Sequence, residues 1–470
     1  MTLSALALLA FLFGVLGFRS LSPASSSPSK LAVTAPVVSP RRVPELLAAA
    51  ASDAQTRAGL TRAGNELGIT PGSGQSCILI RQGGRRIWDR RSDFALVPAS
   101  SAKLFTAVAA METLGPDKTF TTEVRIGQDT IEDGVVTGSM YLVGGGDPVL
   151  FTSDYLATMP ARLAIFTPLV ALADSVVRSG VRRIEGGVIG DDRRFDNERA
   201  VPSWDPAYAL QGQVGPIDAL LVNQGFGRFA GGRVAAPDPA VHAGAVLTDL
   251  LRQRGVTVGQ APSAGSAPEN FKSVASIESP RVSALITEML TESNNTTAEV
   301  LLKQIAFERR SLGPNKNAPG ARMAGTVAMR DTLIEDGLAL DGTVFVDGSG
   351  LDRGNRASCR SLDGVLNRSG PDGALANALA RAGETGTLRG RLANTPAVGR
   401  IRAKTGSLAN VSSFTGWAQP ANGSPPLSFA TISNGVDSEA ARRFEDRLAL
   451  LMSTLPAPQA PAAYALPGAN

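Results

Sequence analysis

Histidine is almost absent: His242 is the single imidazole in 470 residues. It stands in Pro239-Ala-Val-His-Ala-Gly-Ala-Val246 with no nucleophile beside it. A Ser-His-Asp triad needs an imidazole to take the serine proton, so the composition argues against one, and an isolated histidine reads as a structural residue. Cysteine is scarce as well. Cys77 and Cys359 cannot make a disulfide framework, and two thiols with one imidazole fall short of a zinc site. No metal and no cofactor is expected. Both cysteines sit in apolar surroundings, which leaves open two buried free thiols or, in an oxidising compartment, one bridge between them. Charge of neither sign dominates, with 46 basic and 42 acidic residues, a net charge of +4 and a pI of about 9.2. That is no nucleic-acid signature; it is a mild bias toward residence near anionic polymers.

Long apolar runs are missing too, apart from Leu3 to Phe18 near the N-terminus. That run is short for a membrane span of ~20 residues and typical of a signal-peptide core. No Lys or Arg precedes it, and Arg19 and a Ser/Pro-rich stretch to Pro40 follow. An Ala-x-Ala-like cleavage site near Val33-Thr-Ala35 lies far from the apolar core. A cleaved leader and an uncleaved N-terminal membrane anchor both fit, and either exports the body of the chain.

Three short motifs carry the chemistry: Ser100-Ser-Ala-Lys103, Ser293-Asn-Asn295 and Lys404-Thr-Gly406. On a helix, positions i and i+3 share a face, so Ser100 and Lys103 can meet without help from the rest of the fold. Leu104, Ala107, Val108, Met111 and Leu114 recur at helical spacing, and Gly115-Pro116 stops the run. The spacing predicts a helix over Ser101 to Leu114 with Ser100 at its N-terminus, where backbone N–H groups favour a developing anion. Lysine serves as a base once burial or a neighbouring cation lowers its pKa from about 10.4. Alone the first motif discriminates poorly, because Ser27-Pro-Ser-Lys30 in the linker also matches it. The other two each occur once. Ser293 falls between two helix-like runs, at a corner. Lys404 ends the strand-like Val398 to Ala403, and two further strand-like runs, Val411 to Ala418 and Leu427 to Ser433, make an antiparallel meander.

In this order, together with Val97-Pro-Ala-Ser-Ser-Ala-Lys103, Gly144-Gly-Gly-Asp-Pro148, Gly190-Asp-Asp192, Asp347-Gly-Ser-Gly-Leu351 and Ala403-Lys-Thr-Gly-Ser407, the chain resembles the D-alanyl-D-alanine carboxypeptidase/endopeptidases, the low-molecular-mass class C penicillin-binding proteins. Ser-x-x-Lys, Ser-x-Asn and Lys-Thr-Gly are the shared set, here with Asn294 in the middle of the second motif. The resemblance implies an α/β (α+β) fold: a penicillin-binding/β-lactamase-like transpeptidase core with an antiparallel sheet flanked by helices. The long interval between Ser100 and Ser293 exceeds what a compact β-lactamase needs. It implies a discontinuous catalytic domain, 41–118 and 274–455, around β-rich inserted domain(s) at 119–273, with a signal or anchor and linker at 1–40 and a disordered tail at 456–470. Length agrees with about two to four domains at roughly 100 to 200 residues each. A helix over Val43 to Leu60 and a hairpin of Cys77 to Arg81 with Arg86 to Arg90, turned at Gly83-Gly84, are expected before the nucleophile.

The resemblance also implies roles. Lys103 takes the proton of Ser100, which attacks the carbonyl before a terminal D-alanine of a peptidoglycan stem peptide, with the oxyanion between the N–H groups of Ser100 and Ser407. Lys404 helps keep Lys103 neutral by like-charge repulsion. Ser293 relays a proton and Asn295 orients the substrate amide. Lys404, Thr405, Gly406 and Ser407 bind the terminal carboxylate. Asp147 and Arg353 match substrate-side positions. β-Lactam antibiotics would then act as covalent inhibitors. A β-lactamase-like hydrolase and a non-catalytic penicillin-sensing or wall-binding module are the alternatives.

Overall fold

The expected hairpin forms from strands Ser76–Gln82 and Arg85–Arg90, turned at Gly83 and Gly84, both at positive φ, a region that costs glycine little. These strands belong to a computed structural model that describes residues 75–455 except 128–130, 160–164 and 313–315, together with scattered positions between 50 and 65. The expected leader, the linker, most of the helix over Val43 to Leu60 and the tail lie outside the described residues.

Three late strands, Ile401–Leu408, Val411–Ala418 and Leu427–Asn434, make the expected antiparallel meander. The hairpin joins its far side, where Ser76–Gln82 pairs antiparallel with Leu427–Asn434 from Ser76↔Ser433 to Gln82↔Leu427. One six-stranded sheet thus combines the beginning and end of the described chain, with the short strand Ala380–Arg381 on its other edge.

Strand alternation splits the side chains between two cores. Ile78, Ile80, Phe414 and Phe429 pack with Phe444, Leu448 and Met452 of the last helix, Ser438–Ser453. Cys77, Leu79, Ala430 and Ile432 face the opposite layer. That layer is built around the helix Lys103–Leu114, with helices Val282–Glu292, Asn295–Arg309, Arg322–Glu335 and Cys359–Ser369. Every residue from Lys103 to Ala110 is buried, so this helix is apolar nearly all round. Each large side chain it buries contributes about 1.5–3 kcal/mol.

Between these pieces, residues 121–278 form a second sheet in the order Ser263–Ala264, Val188–Asp191, Met140–Val143, Thr121–Ile126, Lys272–Glu278. The first three strands are parallel and the last two join antiparallel. Helices Leu169–Arg178 and Pro239–Arg252 bury Leu172, Val176, Leu247 and Leu251 against it, so the segment is a mixed sheet with helices rather than strands alone. It meets the helix Asn295–Arg309 through polar bonds: Gln304 Nε2 donates to the Gly145 and Gly146 carbonyls, and Lys303 Nζ to Asp196.

Candidate active site

Ser100 lies in a tight turn, Ala99–Ala102, and the helix proper starts at Lys103. The expected helix therefore begins two residues later than the apolar spacing suggests, because Ala99 adopts φ +46° and the first turn is 3-10. The i, i+3 pairing survives: Lys103 Nζ donates to Ser100 Oγ at 2.9 Å. The same ammonium reaches Asn295 Oδ1 at 2.6 Å and the Ser349 carbonyl at 2.7 Å. Lys103 is fully buried, and burial pushes its pKa down to about 7 against the upward pull of Asp347, Glu299 and Glu288.

The Ser293 corner works through backbone geometry. The helix Val282–Glu292 ends with Ser293 in the left-handed region at φ +61°, which turns its hydroxyl toward Lys404 Nζ, the donor at 2.8 Å. Asn294 then caps the next helix by accepting from the Thr297 N–H, and its Nδ2 donates to Glu288 at 2.7 Å. Glu288 is buried, with its carboxyl pushed up to about 7 by desolvation. Asn295 is oriented by Nδ2 donating to the Gln213 carbonyl at 2.8 Å, which leaves Oδ1 for Lys103.

Lys404 and Gly406 point from their strand toward the nucleophile. A Cβ on Gly406 would fall 2.9 Å from the Ser100 nitrogen, a close approach that only glycine permits. Lys404 is buried, and desolvation, reinforced by the charge of Lys103, lowers its pKa well below the usual lysine range. Thr405 and Ser407 alternate to the other side; Thr405 Oγ1 donates to Thr387 Oγ1 at 3.0 Å and Ser407 is exposed. The strand Ala380–Arg381 pairs only with Ala403 and Arg402, so from Lys404 onward this edge has no strand partner among the described residues.

The fold thus gathers Ser100, Lys103, Ser293, Asn295 and Lys404, with Thr405, Gly406 and Ser407 alongside. No hydrogen bond or ion pair among the described residues joins Asp147 or Arg353 to this group. Asp147 is buried, accepts from the Val149 N–H at 2.9 Å and is pushed up to about 6 by desolvation. Arg353 is exposed and donates to the Ala409 carbonyl, just past the Lys-Thr-Gly strand. His242 sits on the helix Pro239–Arg252, away from Ser100, and desolvation lowers its pKa.

Sequence reasoning did not single out Glu299. It lies one turn beyond Asn295, is buried, and accepts from the Gly348 N–H at 3.1 Å and the Ser349 N–H at 2.7 Å. It therefore holds the loop whose Ser349 carbonyl touches Lys103. Asp347 fixes the same loop by accepting from Gly350 and Asp352 N–H groups and from Trp204 Nε1. The i, i+4 spacing of Asn295 and Glu299 is the one signal in the sequence that could have found it.

This pairing of Ser100 with a buried Lys103, backed by a second Ser-Lys pair, matches what comparison with known proteins returns. A family model, the D-Ala-D-Ala carboxypeptidase 3 (S13) family, covers residues 74–230 and 230–455. The chain belongs to this family. Among its relatives, a D-alanyl-D-alanine carboxypeptidase of Actinomadura sp. strain R39 is 29% identical, with 80% of each chain aligned. A carboxypeptidase of Mycobacterium tuberculosis is 30% identical over 75% of this chain and 74% of that one. Penicillin-binding protein 4 of Haemophilus influenzae shares the fold, with a TM-score of 0.69, 20% identity and coverage of 83% of this chain and 98% of that one. The α/β architecture with its antiparallel sheet is therefore that of the family.

Proposed function

We propose that the chain is a serine-type D-Ala-D-Ala carboxypeptidase of peptidoglycan stem peptides that works through an acyl-serine. The observation that carries this reading is the 2.9 Å contact between Ser100 Oγ and a buried Lys103 Nζ whose pKa lies at about 7, so a substantial neutral fraction exists at physiological pH. Neutral Lys103 takes the Ser100 proton as Oγ attacks the carbonyl before the last D-alanine. Asn295 holds Lys103 through Oδ1, and orienting the substrate amide requires its Nδ2 to exchange the Gln213 carbonyl for the substrate. The oxyanion forms between the N–H groups of Ser100 and Ser407, which the close passage of Gly406 supports. Ser293, held by Lys404, returns a proton to the departing amine. Thr405 and Ser407, on the strand that also carries Lys404, receive the terminal carboxylate. Water then frees the acyl group from Ser100.

The body of the chain acts outside the cytoplasm, as a substrate in the cell wall requires; anchoring by the N-terminal segment belongs to the same reading and is tested by extracting the protein from membranes. The division into a catalytic domain of 41–118 and 274–455 and an insert of 119–273 is supported in outline by two separate sheets, but the strand Lys272–Glu278 belongs to the insert's sheet, which moves the second boundary to about residue 279. For Asp147 and Arg353, a substrate-side role requires Asp147 to open from its pocket; an unchanged pentapeptide KM in Asp147→Ala would remove it.

The test is intact-protein mass spectrometry after exposure to benzylpenicillin, paired with D-alanine release from a pentapeptide. A long-lived adduct of whole-drug mass, absent in Ser100→Ala, with D-alanine released by the native chain, is expected. Rapid hydrolysis of the drug with no adduct would point to a β-lactamase-like hydrolase, and neither adduct nor turnover would sink the catalytic reading.

A further inference from the structure

The three residues of the Ser-Asn-Asn motif face different ways. Ser293 Oγ accepts from Lys404 and Asn295 Oδ1 accepts from Lys103, while Asn294 turns back to Glu288 of the helix Val282–Glu292. Glu288 is buried, and both of its oxygens are used: Oε1 accepts from Asn294 Nδ2 at 2.7 Å and Oε2 from Thr297 Oγ1 at 3.0 Å. Thr297 in turn gives its N–H to Asn294 Oδ1 at 3.1 Å. The three residues close a ring that ties the end of one helix to the start of the next, with Ser293 and Asn295 on either side of Asn294. Ser293 stands at φ +61°, a region that a residue other than glycine keeps only where its surroundings fix it.

From this geometry we propose that Glu288 is a positioning residue for acylation, and that the middle of the motif is an amide because it must donate to this carboxyl. The inference rests on the acyl-serine reading. Glu288 touches no substrate atom; it holds Ser293 Oγ where the departing amine takes its proton, and Asn295 Oδ1 against Lys103. A carboxylate at position 294, the Ser-Asp-Asn form of the motif, would still cap the helix by accepting from Thr297, but its other oxygen would face Glu288 Oε1 acceptor to acceptor. Two facing carboxyls bond only through a shared proton. That proton is present at low pH, since burial already pushes Glu288 up to about 7, and it leaves as pH rises. The direction of the bond can also be reversed. In the double variant Asn294→Asp/Glu288→Gln the new amide donates to the new carboxylate while its oxygen accepts from the Thr297 hydroxyl, so every bond of the ring is kept. The other charged and titratable groups around this carboxyl are Glu292 on its own helix, Lys103, and Tyr155 and Arg233 of the insert. They are the same in every variant, so each variant is compared with native protein at the same pH.

The experiment measures the rate constant of acylation by benzylpenicillin and the thermal midpoint at pH 6 and pH 9. Asn294→Asp should fall about 10- to 100-fold below native at pH 9, the order for displaced catalytic groups, with a smaller deficit at pH 6. Glu288→Met, which removes both acceptors, should be slow at both pH values. Glu288→Gln should recover most of the rate, because its amide turns an oxygen to Asn294 and an N–H to the Thr297 hydroxyl. The double variant should return to within about threefold of native at both pH values, the coupling expected of two residues in one ring. A native rate in Asn294→Asp at pH 9, or a double variant no faster than Asn294→Asp there, would overturn the proposal. So would a double variant that regains the native midpoint without regaining acylation, since the ring would then serve stability alone. No acylation of native protein, with no D-alanine released from a pentapeptide, would overturn the acyl-serine reading itself.

Discussion

Lys103 is a base only because its surroundings are dry. Burial lowers its pKa to about 7, while the nearby carboxylates pull the other way. The neutral form therefore grows as pH rises through that value, and acylation by benzylpenicillin should climb through about pH 7 and level off above it, falling about tenfold per unit on the acid side. Rate constants measured between pH 5.5 and 9 check this; a limb near the ordinary lysine range would contradict it. Glu299 sets the second expectation. Desolvation, reinforced by Asp347, pushes its carboxyl up to about 8, so the two groups titrate over one range and the profile reports them jointly. Glu299→Gln removes a group whose ionised form raises the Lys103 pKa, and it sets an amide N–H₂ against the Gly348 N–H. The plateau should drop about 10- to 100-fold, as for displaced catalytic groups, and the limb should move to lower pH, which simple loosening of the loop would not produce. The five motif residues could be read from the chain because each motif is a short local pattern, and for Ser100 and Lys103 the partner itself is local, three positions along; the bonds of Lys404 to Ser293 and of Lys103 to Asn295 span the chain, and their grouping followed only from the resemblance. The Ser349 and Gln213 carbonyls could not be read, because each meets its partner through tertiary contacts that no spacing records, and for Glu299 only its i, i+4 spacing from Asn295 was local, its bonds to Gly348 and Ser349 being tertiary.

At the level of elements, the site is a meeting of one helix start, one helix corner, one strand and one loop, and glycines mark where they touch. Gly350 has φ +82°, and a Cβ there would stand 1.9 Å from the Ala99 carbonyl, in the turn that carries Ser100. Gly350→Ala should therefore lower the thermal midpoint, by an amount matching about 1–3 kcal/mol or more, and cut acylation, since relief of the clash moves either the nucleophile turn or the Ser349 carbonyl. Calorimetry and acylation kinetics on the variant decide it, and a midpoint equal to the native one would contradict the packing described. Here the sequence was informative in a particular way. The hairpin and the late meander follow from alternation and turn glycines, both local signals. The pairing of Ser76–Gln82 with Leu427–Asn434 is non-local and leaves no pattern in either strand. The helices Leu169–Arg178 and Pro239–Arg252 do carry apolar faces, yet the many short strands and turns around them obscure those faces.

Across the whole molecule, Cys77 of the first strand and Cys359 at the start of the helix Cys359–Ser369 are joined in a disulfide with a Cα–Cα distance of 5.8 Å. Composition left this pairing undecided, since it depends on which residues the fold brings together. Both sulfur-bearing residues are buried, so reduction should require prior opening of the core. Closing a loop over a sequence separation of 282 restricts the unfolded chain, and Cys359→Ser should cost about 2–5 kcal/mol, read as a lower midpoint in denaturant with little change in acylation at 25 °C. An unaltered midpoint would mean that the bridge contributes nothing to the native state. The bridge has one more consequence. A protease that cuts once anywhere between those two positions, the whole of residues 121–278 included, yields two fragments that stay covalently tied and share a single sheet, so a clipped molecule should run as an intact chain until a reductant is added and can keep its nucleophile, corner and strand in register after the backbone is severed.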